Sequence, residues 1–295
     1  MTAPSLDHPR TGVVRSLLGS SRPLSWVNTA YPFAAAYLLA GGGVDVALVV
    51  GAAYFLVPYN LLMYGINDVF DYESDLLNAR KGGAEGVVLD AGLHRTTLWA
   101  ALVSNAPFLV ALVLLGSTGS TVVLAVVVLA VVAYSAPGLR FKERPFLDSV
   151  TSSTHFAGPA AYGLALAGGS LTREAAAALL GFFLWGMASQ AFGAVQDIVP
   201  DRSAGIASVA TVLGAARTVR LAMLLYAAAG LVLLLAGWPG ALAGLLVLPY
   251  LGSIAPFRSL PDQDAAAAHD GWRRFLWLNF LTGFLVTQLL IWITW

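Results

Sequence analysis

Thr121-Val122-Val123-Leu124-Ala125-Val126-Val127-Val128-Leu129-Ala130-Val131-Val132-Ala133-Tyr134-Ser135-Ala136 carries no charge, and its polar and apolar positions do not alternate. A strand buried on one face alternates with period two. A helix at a protein surface shows an apolar stripe opposite a polar one, whereas this run is apolar all round. Similar runs recur at 175–190 and 275–295, each near the ~20 residues a helix needs to cross about 30 Å of hydrocarbon. The whole chain of 295 residues is 58% hydrophobic and 11% charged, too oily for soluble domains. Backbone groups in lipid must pair within a helix or around a closed barrel, and unalternating runs exclude the barrel. The fold class is therefore an all-α membrane protein, a helical bundle in the lipid bilayer.

Nine spans are expected, near 24–42, 45–66, 96–115, 120–136, 149–168, 173–195, 217–237, 239–256 and 274–294. Gly/Pro/Ser punctuation at 116–119 and at Trp238-Pro239-Gly240 is read as two hairpins between helices. With the N-terminus in the cytoplasm, every Lys and Arg of the sixteen except Arg173 falls on the inner side, as the positive-inside rule requires. The C-terminus then lies outside, where Trp292 and Trp295 form an interfacial belt. Residues 1–22, with Pro4, Asp7, Pro9, Arg10 and Arg15, read as a cytoplasmic leader and not a cleavable signal; 23–295 reads as one transmembrane domain of the cell membrane. No cysteine is present, which excludes disulfides and thiolate metal sites. The net charge of zero points to no particular partner, and no nucleic acid is expected. The longer connections, 67–95, 138–148, 197–216 and 256–273, all fall on the inner side, so chemistry is expected at the cytoplasmic end.

The first of these connections opens within Tyr64-Gly65-Ile66-Asn67-Asp68-Val69-Phe70-Asp71-Tyr72-Glu73-Ser74-Asp75. On a helix Asn67, Asp71 and Asp75 form an i, i+4, i+8 column with Asp68 beside it, all within a face about 100° wide. Their mutual repulsion is relieved by a hard divalent cation, and oxygen-only ligands suit magnesium. Glu73 points elsewhere and reads as a solvated group. The second cluster is Gln196-Asp197-Ile198-Val199-Pro200-Asp201-Arg202. An Asp197, Asp201 pair alone is weak, but the topology puts it on the same membrane face. Two carboxylate sets facing one cavity suggest magnesium ions bridged by a phosphate-bearing ligand.

Basic residues surround both motifs: Arg80 and Lys81, Arg202, and Arg140 and Lys142. Singly each reads as a positive-inside anchor; as a group they suit a diphosphate. No Walker-type phosphate loop is present and no Ser/His/Asp arrangement is spelled out. His155 is either a proton acceptor in a cavity or a hydrogen-bonded interface histidine, and Asn28, Asn60 and Gln190 read as interhelical hydrogen-bonding groups.

Asn67-Asp68-x-x-Asp71-x-x-x-Asp75 and Asp197-x-x-x-Asp201 resemble the two signature motifs of the UbiA superfamily of intramembrane prenyltransferases, in order and separation, and the nine spans resemble its bundle. The resemblance implies that Asn67, Asp68, Asp71, Asp75, Asp197 and Asp201 bind magnesium and an isoprenoid diphosphate. It implies catalytic roles for Asn67, Asp71 and Asp197, with Tyr134 and either Arg140 or Lys142 reaching the diphosphate from the connection after the fourth helix. Where quinone-directed members carry Arg-Pro, this chain has Asn78-Ala79-Arg80-Lys81-Gly82-Gly83. With 21–32, 139–145, 151–156 and 185–190, it resembles the lycopene elongase branch. That branch implies transfer of a dimethylallyl group from dimethylallyl diphosphate to lycopene or a similar polyene, the final cation losing a proton or capturing water. A quinone precursor or a tetrapyrrole is the alternative acceptor. A membrane transporter is the alternative outside enzymes; it would need ionisable groups near mid-membrane, whereas the acidic groups sit at span ends.

Overall fold

A computed structural model describes residues 12–72, 76 and 89–294, and no strand occurs among them. The helices are α1 (Val13–Ser20), α2 (Val27–Leu39), α3 (Val46–Leu56), α4 (Pro58–Phe70), α5 (His94–Leu115), α6 (Thr118–Ser135), α7 (Leu147–Leu166), α8 (Arg173–Val195), α9 (Ile198–Ser203), α10 (Val209–Leu213), α11 (Ala215–Leu233), α12 (Val247–Ile254) and α13 (His269–Thr294). Among the described residues seven segments are long and apolar enough to cross a membrane: Val46–Phe70, Ala91–Leu115, Thr118–Ser135, Arg173–Val195, Ala215–Ala236, Gly240–Phe257 and Asp262–Thr294. They coincide with seven of the expected spans. The remaining two expectations fall on helices of another kind. At 24–42 the chain makes a 3-10 turn, Pro23–Ser25, before the 13-residue α2. At 149–168 stands α7, whose first turns read Leu147-Asp148-Ser149-Val150-Thr151-Ser152-Ser153-Thr154-His155. A helix enclosed by protein can carry such polar groups, and α7 buries Asp148, Ser149, Thr151, Ser152, Ser153 and His155.

Both punctuated stretches separate helices. Ser117 caps α6 in a reciprocal capping box with Ser120. Between α11 and α12 the backbone turns at Gly237, with φ of +73°, before a 3-10 helix at Gly240–Leu246, a conformation glycine adopts without steric cost. Val46–Phe70 is broken at Pro58, which lacks the N–H to continue α3. The carbonyls so released are taken up locally. Asn60 Nδ2 donates to Phe55 O at 2.8 Å and Leu56 O at 3.1 Å, and Thr29 Oγ1 donates to Phe55 O at 2.6 Å. Asn60 is thus one of the interhelical hydrogen-bonding groups expected from the sequence, and it also reaches Thr29 Oγ1 at 2.7 Å.

Two apolar cores result. One joins α2 to α6 through Phe33, Tyr54, Phe55, Tyr59 and Leu112, with Tyr162 from α7. Phe33 packs on Phe55 and Tyr162 at centroid distances of 5.1 and 5.9 Å; such pairs add about 0.5–1.5 kcal/mol each beyond burial. The other core gathers Phe192, Val195, Tyr226, Tyr250, Ile254 and Phe275 from the C-terminal helices. Helix α7 touches both halves. A Cβ on Gly163 would stand 2.4 Å from the Phe33 carbonyl oxygen of α2, and one on Gly186 of α8 would stand 2.4 Å from Ser153 Oγ. Ser153 Oγ in turn donates to Phe183 O at 2.6 Å.

Close approach at Gly163 is against backbone, which cannot rotate away. Gly163→Val is expected to destabilise the protein by at least about 1–3 kcal/mol, the cost of overpacking. Gly252→Ala, in open space on α12, should be neutral or better. Thermal unfolding midpoints of both variants in detergent check this.

Candidate active site

Asn67 and Asp68 lie on the last turn of α4, and Asp71 follows it, its N–H still donating to Asn67 O at 2.9 Å. Asn67 Oδ1 accepts from Ser135 Oγ at 2.9 Å, at the end of α6, and from Lys142 Nζ at 3.3 Å. Lys142 also forms an ion pair with Asp71, and the Arg140 guanidinium lies 3.7 Å from the same carboxylate while pairing with Glu143. Of the two cations the sequence left open, both therefore reach the first motif, and Lys142 makes the closer contact. Burial pushes the Lys142 ammonium down to about 8, against the pull of Glu143 and Asp68. Asp68, 1% exposed, accepts from Arg22 at 3.2 Å. The Arg22 guanidinium also sits 4.3 Å over the Tyr64 ring, a cation–π contact. Arg22 and Arg140 both stand on left-handed backbone, φ 50° and 41°. That conformation is held by its surroundings at about 1–2 kcal/mol each.

The second motif closes α8. Gln196 follows the helix, Asp197 precedes α9, and the Asp201 N–H donates to Asp197 O at 2.9 Å, so the two carboxylates are one turn apart. Gly205, φ +72°, ends this turn, with Ile206 N donating to Asp201 O at 2.8 Å. The loop is tied back to the first motif's side of the molecule. Asp148, at the start of α7, accepts from Val209 N at 2.8 Å and from Ser149 N at 2.7 Å. His269 Nδ1, at the start of α13, lies 2.8 Å from Gln196 Oε1. The ends of α4, α6 and α8 and the starts of α7 and α13 are thereby gathered, and both acidic motifs belong to the same end of the bundle.

Arg202 donates to Thr211 O at 3.1 and 2.7 Å and to Asp262 at 2.7 Å, while Asp262 also accepts from Ala215 N at 2.7 Å. Its guanidinium thus braces the loop between α9 and α11. Asp75, Arg80 and Lys81 lie outside the described residues. Among the described residues no three His, Cys, Asp or Glu side chains stand close enough to hold a metal by themselves. The donors are nonetheless all oxygen: the amide of Asn67 and the carboxylates of Asp68, Asp71, Asp197 and Asp201. That set fits magnesium, which takes only one or two carboxylates and completes its octahedron with phosphate oxygens and water.

Deeper in the bundle, Tyr134 meets the His155 ring edge-on at 4.9 Å. Ser152 Oγ donates to Gln190 Oε1 at 3.0 Å, linking α7 to α8 beneath the second motif. An apolar groove of about 520 Å³ runs between α6, α7 and α8, lined by Val122, Val126, Thr154, Ala157, Leu180 and Phe183 among others. Arg22, Ser135, Asp148 and Asp262 were not picked out as site residues by sequence reasoning. Arg22 lies 46 residues from its partner, so no local spacing pairs them. Asp148 offered a signal of its own: a carboxylate at the mouth of a polar helix.

The UbiA prenyltransferase family matches residues 29–281. A C(50) beta-cyclic carotenoids biosynthesis protein of Dietzia sp., LbtBC, is 56% identical over 288 residues, covering 97% of this chain and 67% of its own. A lycopene elongase/hydratase of Corynebacterium glutamicum is 51% identical over 278 residues, covering 94% and 97%. Among solved structures, a UbiA homolog from Archaeoglobus fulgidus bound to DMAPP and Mg2+ superposes with a TM-score of 0.68 at 18% identity, covering 90% of this chain and 98% of its own. Sequence, motif placement and helical architecture converge, and this chain belongs to the UbiA prenyltransferase family.

Proposed function

We propose that the chain transfers a dimethylallyl group from dimethylallyl diphosphate to the ends of lycopene, lengthening it towards a fifty-carbon carotenoid. The observation that carries this reading is the convergence of Asn67, Asp71, Asp197 and Asp201 on one end of the bundle, with Lys142 and Arg140 at Asp71. The choice of acceptor is supported by the relatives in Dietzia and Corynebacterium glutamicum. The distribution of Lys and Arg supports a cytoplasmic N-terminus and an active end facing the cytoplasm. Counting α2 and α7 as crossing elements gives nine spans in the cell membrane.

Asn67, Asp68, Asp71, Asp75, Asp197 and Asp201 would hold magnesium, which when bound would offset the negative charge that grows on the departing diphosphate. Lys142, Arg140 and Arg22 stand on flexible stems beside the carboxylates and can turn to the diphosphate oxygens, with Arg80, Lys81 and Arg202 extending the basic rim. Departure of diphosphate leaves an allylic cation. The Tyr134 ring beneath the rim presents π-density that favours such a cation by about 0.5–2 kcal/mol. Apolar walls keep bulk water from quenching it before the terminal double bond of the acceptor attacks.

Asp71→Ala and Asp197→Ala are each expected to lower turnover by at least about 10²-fold, as removal of transition-state charge stabilisation does. Both proteins should remain folded in membranes. Incubation of membranes with dimethylallyl diphosphate and lycopene, with five-carbon additions read by mass spectrometry, tests this; near-normal turnover of both variants would refute the assignment. Lys142→Gln should raise the KM for dimethylallyl diphosphate by about tenfold, the value of one charge-assisted contact, with a smaller change for lycopene. Initial rates over a matrix of the two substrates separate these effects.

A further inference from the structure

His155 is 3% exposed, and its Nε2 has no hydrogen-bond partner. The backbone of Ala130 on α6 approaches the ring. In the tautomer that carries the ring proton on Nδ1, Nε2 holds a free lone pair. The side chain is held in place by its neighbours: the Tyr134 ring meets it edge-on at 4.9 Å, and Tyr59 Oη donates to its backbone carbonyl at 3.2 Å. Leaving a buried acceptor unpaired costs about 1–3 kcal/mol. Interface histidines in membrane helices offset that cost by hydrogen-bonding across helices.

Depth connects this nitrogen with the acidic rim. His155 lies seven residues beyond Asp148 along α7, and Tyr59 lies eight residues before Asn67 along α4. At about 1.5 Å per residue both helices put it roughly 10–12 Å below the rim. Tyr134, which it touches, is followed by Ser135, the donor to Asn67. On the prenyl-transfer reading, the hydrocarbon chain of a rim-bound allylic diphosphate would point from the rim towards that level.

We propose that His155 Nε2 accepts the proton released when the cation formed on the acceptor is discharged, an assignment that rests on the prenyl transfer proposed above. The carbon–oxygen bond of dimethylallyl diphosphate breaks, and diphosphate leaves with the electron pair. The acceptor's terminal double bond supplies the pair for the new carbon–carbon bond, leaving a tertiary cation. Discharge occurs by breaking a neighbouring C–H bond, whose electrons form a new double bond, or by addition of water with cleavage of one of its O–H bonds. One proton departs in either case, and Nε2 receives it before passing it to the diphosphate and solvent. His155 thereby fixes which carbon loses its proton, or where water adds, and so selects the end group.

The test uses the full-length protein in membranes with dimethylallyl diphosphate and lycopene, and two readouts: inorganic diphosphate released, and the identity of the prenylated ends by chromatography and mass spectrometry. His155→Gln keeps most of the volume and His155→Phe keeps the ring without a base. Both are expected to release diphosphate within about tenfold of the parent while the single end group gives way to a mixture of double-bond isomers and hydrated forms, since proton transfer is the step altered. An unchanged single product from both variants would overturn the proposal. Loss of diphosphate release in both would overturn it as well, because His155 would then serve folding or ionisation. A parent protein that adds no five-carbon unit would instead remove the prenyl-transfer reading itself.

Discussion

Carboxylates crowded at the edge of a bilayer are tolerated only when opposite charge and hydrogen bonds balance them. Here that balance organises the end of the bundle that carries both acidic motifs. Asp71 is met by Lys142 and Arg140, Asp68 by Arg22, and Asp148 by two backbone N–H groups. Apart from the Ser149 N–H, each partner comes from an element distant in the chain, so this balance also draws α4, the 136–146 connection and the segment before α2 to one place. In the proposed reaction a diphosphate with its cations would replace some of these partners with stronger ones, and the flexible Lys and Arg side chains of the rim could make that exchange.

The same economy explains α7. A helix with Asp148, Ser149, Thr151, Ser152, Ser153 and His155 on its first turns would be costly in contact with lipid. Enclosed by α2 and α8, with Gly163 and Gly186 allowing backbones to approach, it brings polar groups to the bundle interior without exposing them. Most of these groups find partners: Ser152 with Gln190, Ser153 with the Phe183 carbonyl. Within this polar stretch of α7, His155 keeps Nε2 unpaired.

The fold class was legible because apolar runs of membrane length have few alternatives, as the seven matching segments illustrate. The two helices that differ, α2 and α7, do so because hydropathy reports the surroundings of a helix and not its length. Asn67, Asp71, Asp197 and Asp201 could be read from their four-residue spacing, which survives on the helices as one turn. Arg22, Ser135, Asp148 and Asp262 could not be assigned partners in the same way. Their contacts are long-range and set by how the helices close on each other, and nothing in a local window encodes them. Arg202 illustrates the converse: its place beside Asp201 suggested a phosphate contact, while its guanidinium in the structure serves Asp262 and the Thr211 carbonyl.

The central claim is that two acidic motifs far apart in the sequence act on one diphosphate. The most direct measurement is a double-mutant cycle on binding of an unreactive thiolo analogue of dimethylallyl diphosphate with magnesium, using Asp71→Ala, Asp197→Ala and the double variant. A shared site predicts strong non-additivity, with each single variant losing nearly as much affinity as the double. Additive losses from the two substitutions would contradict it.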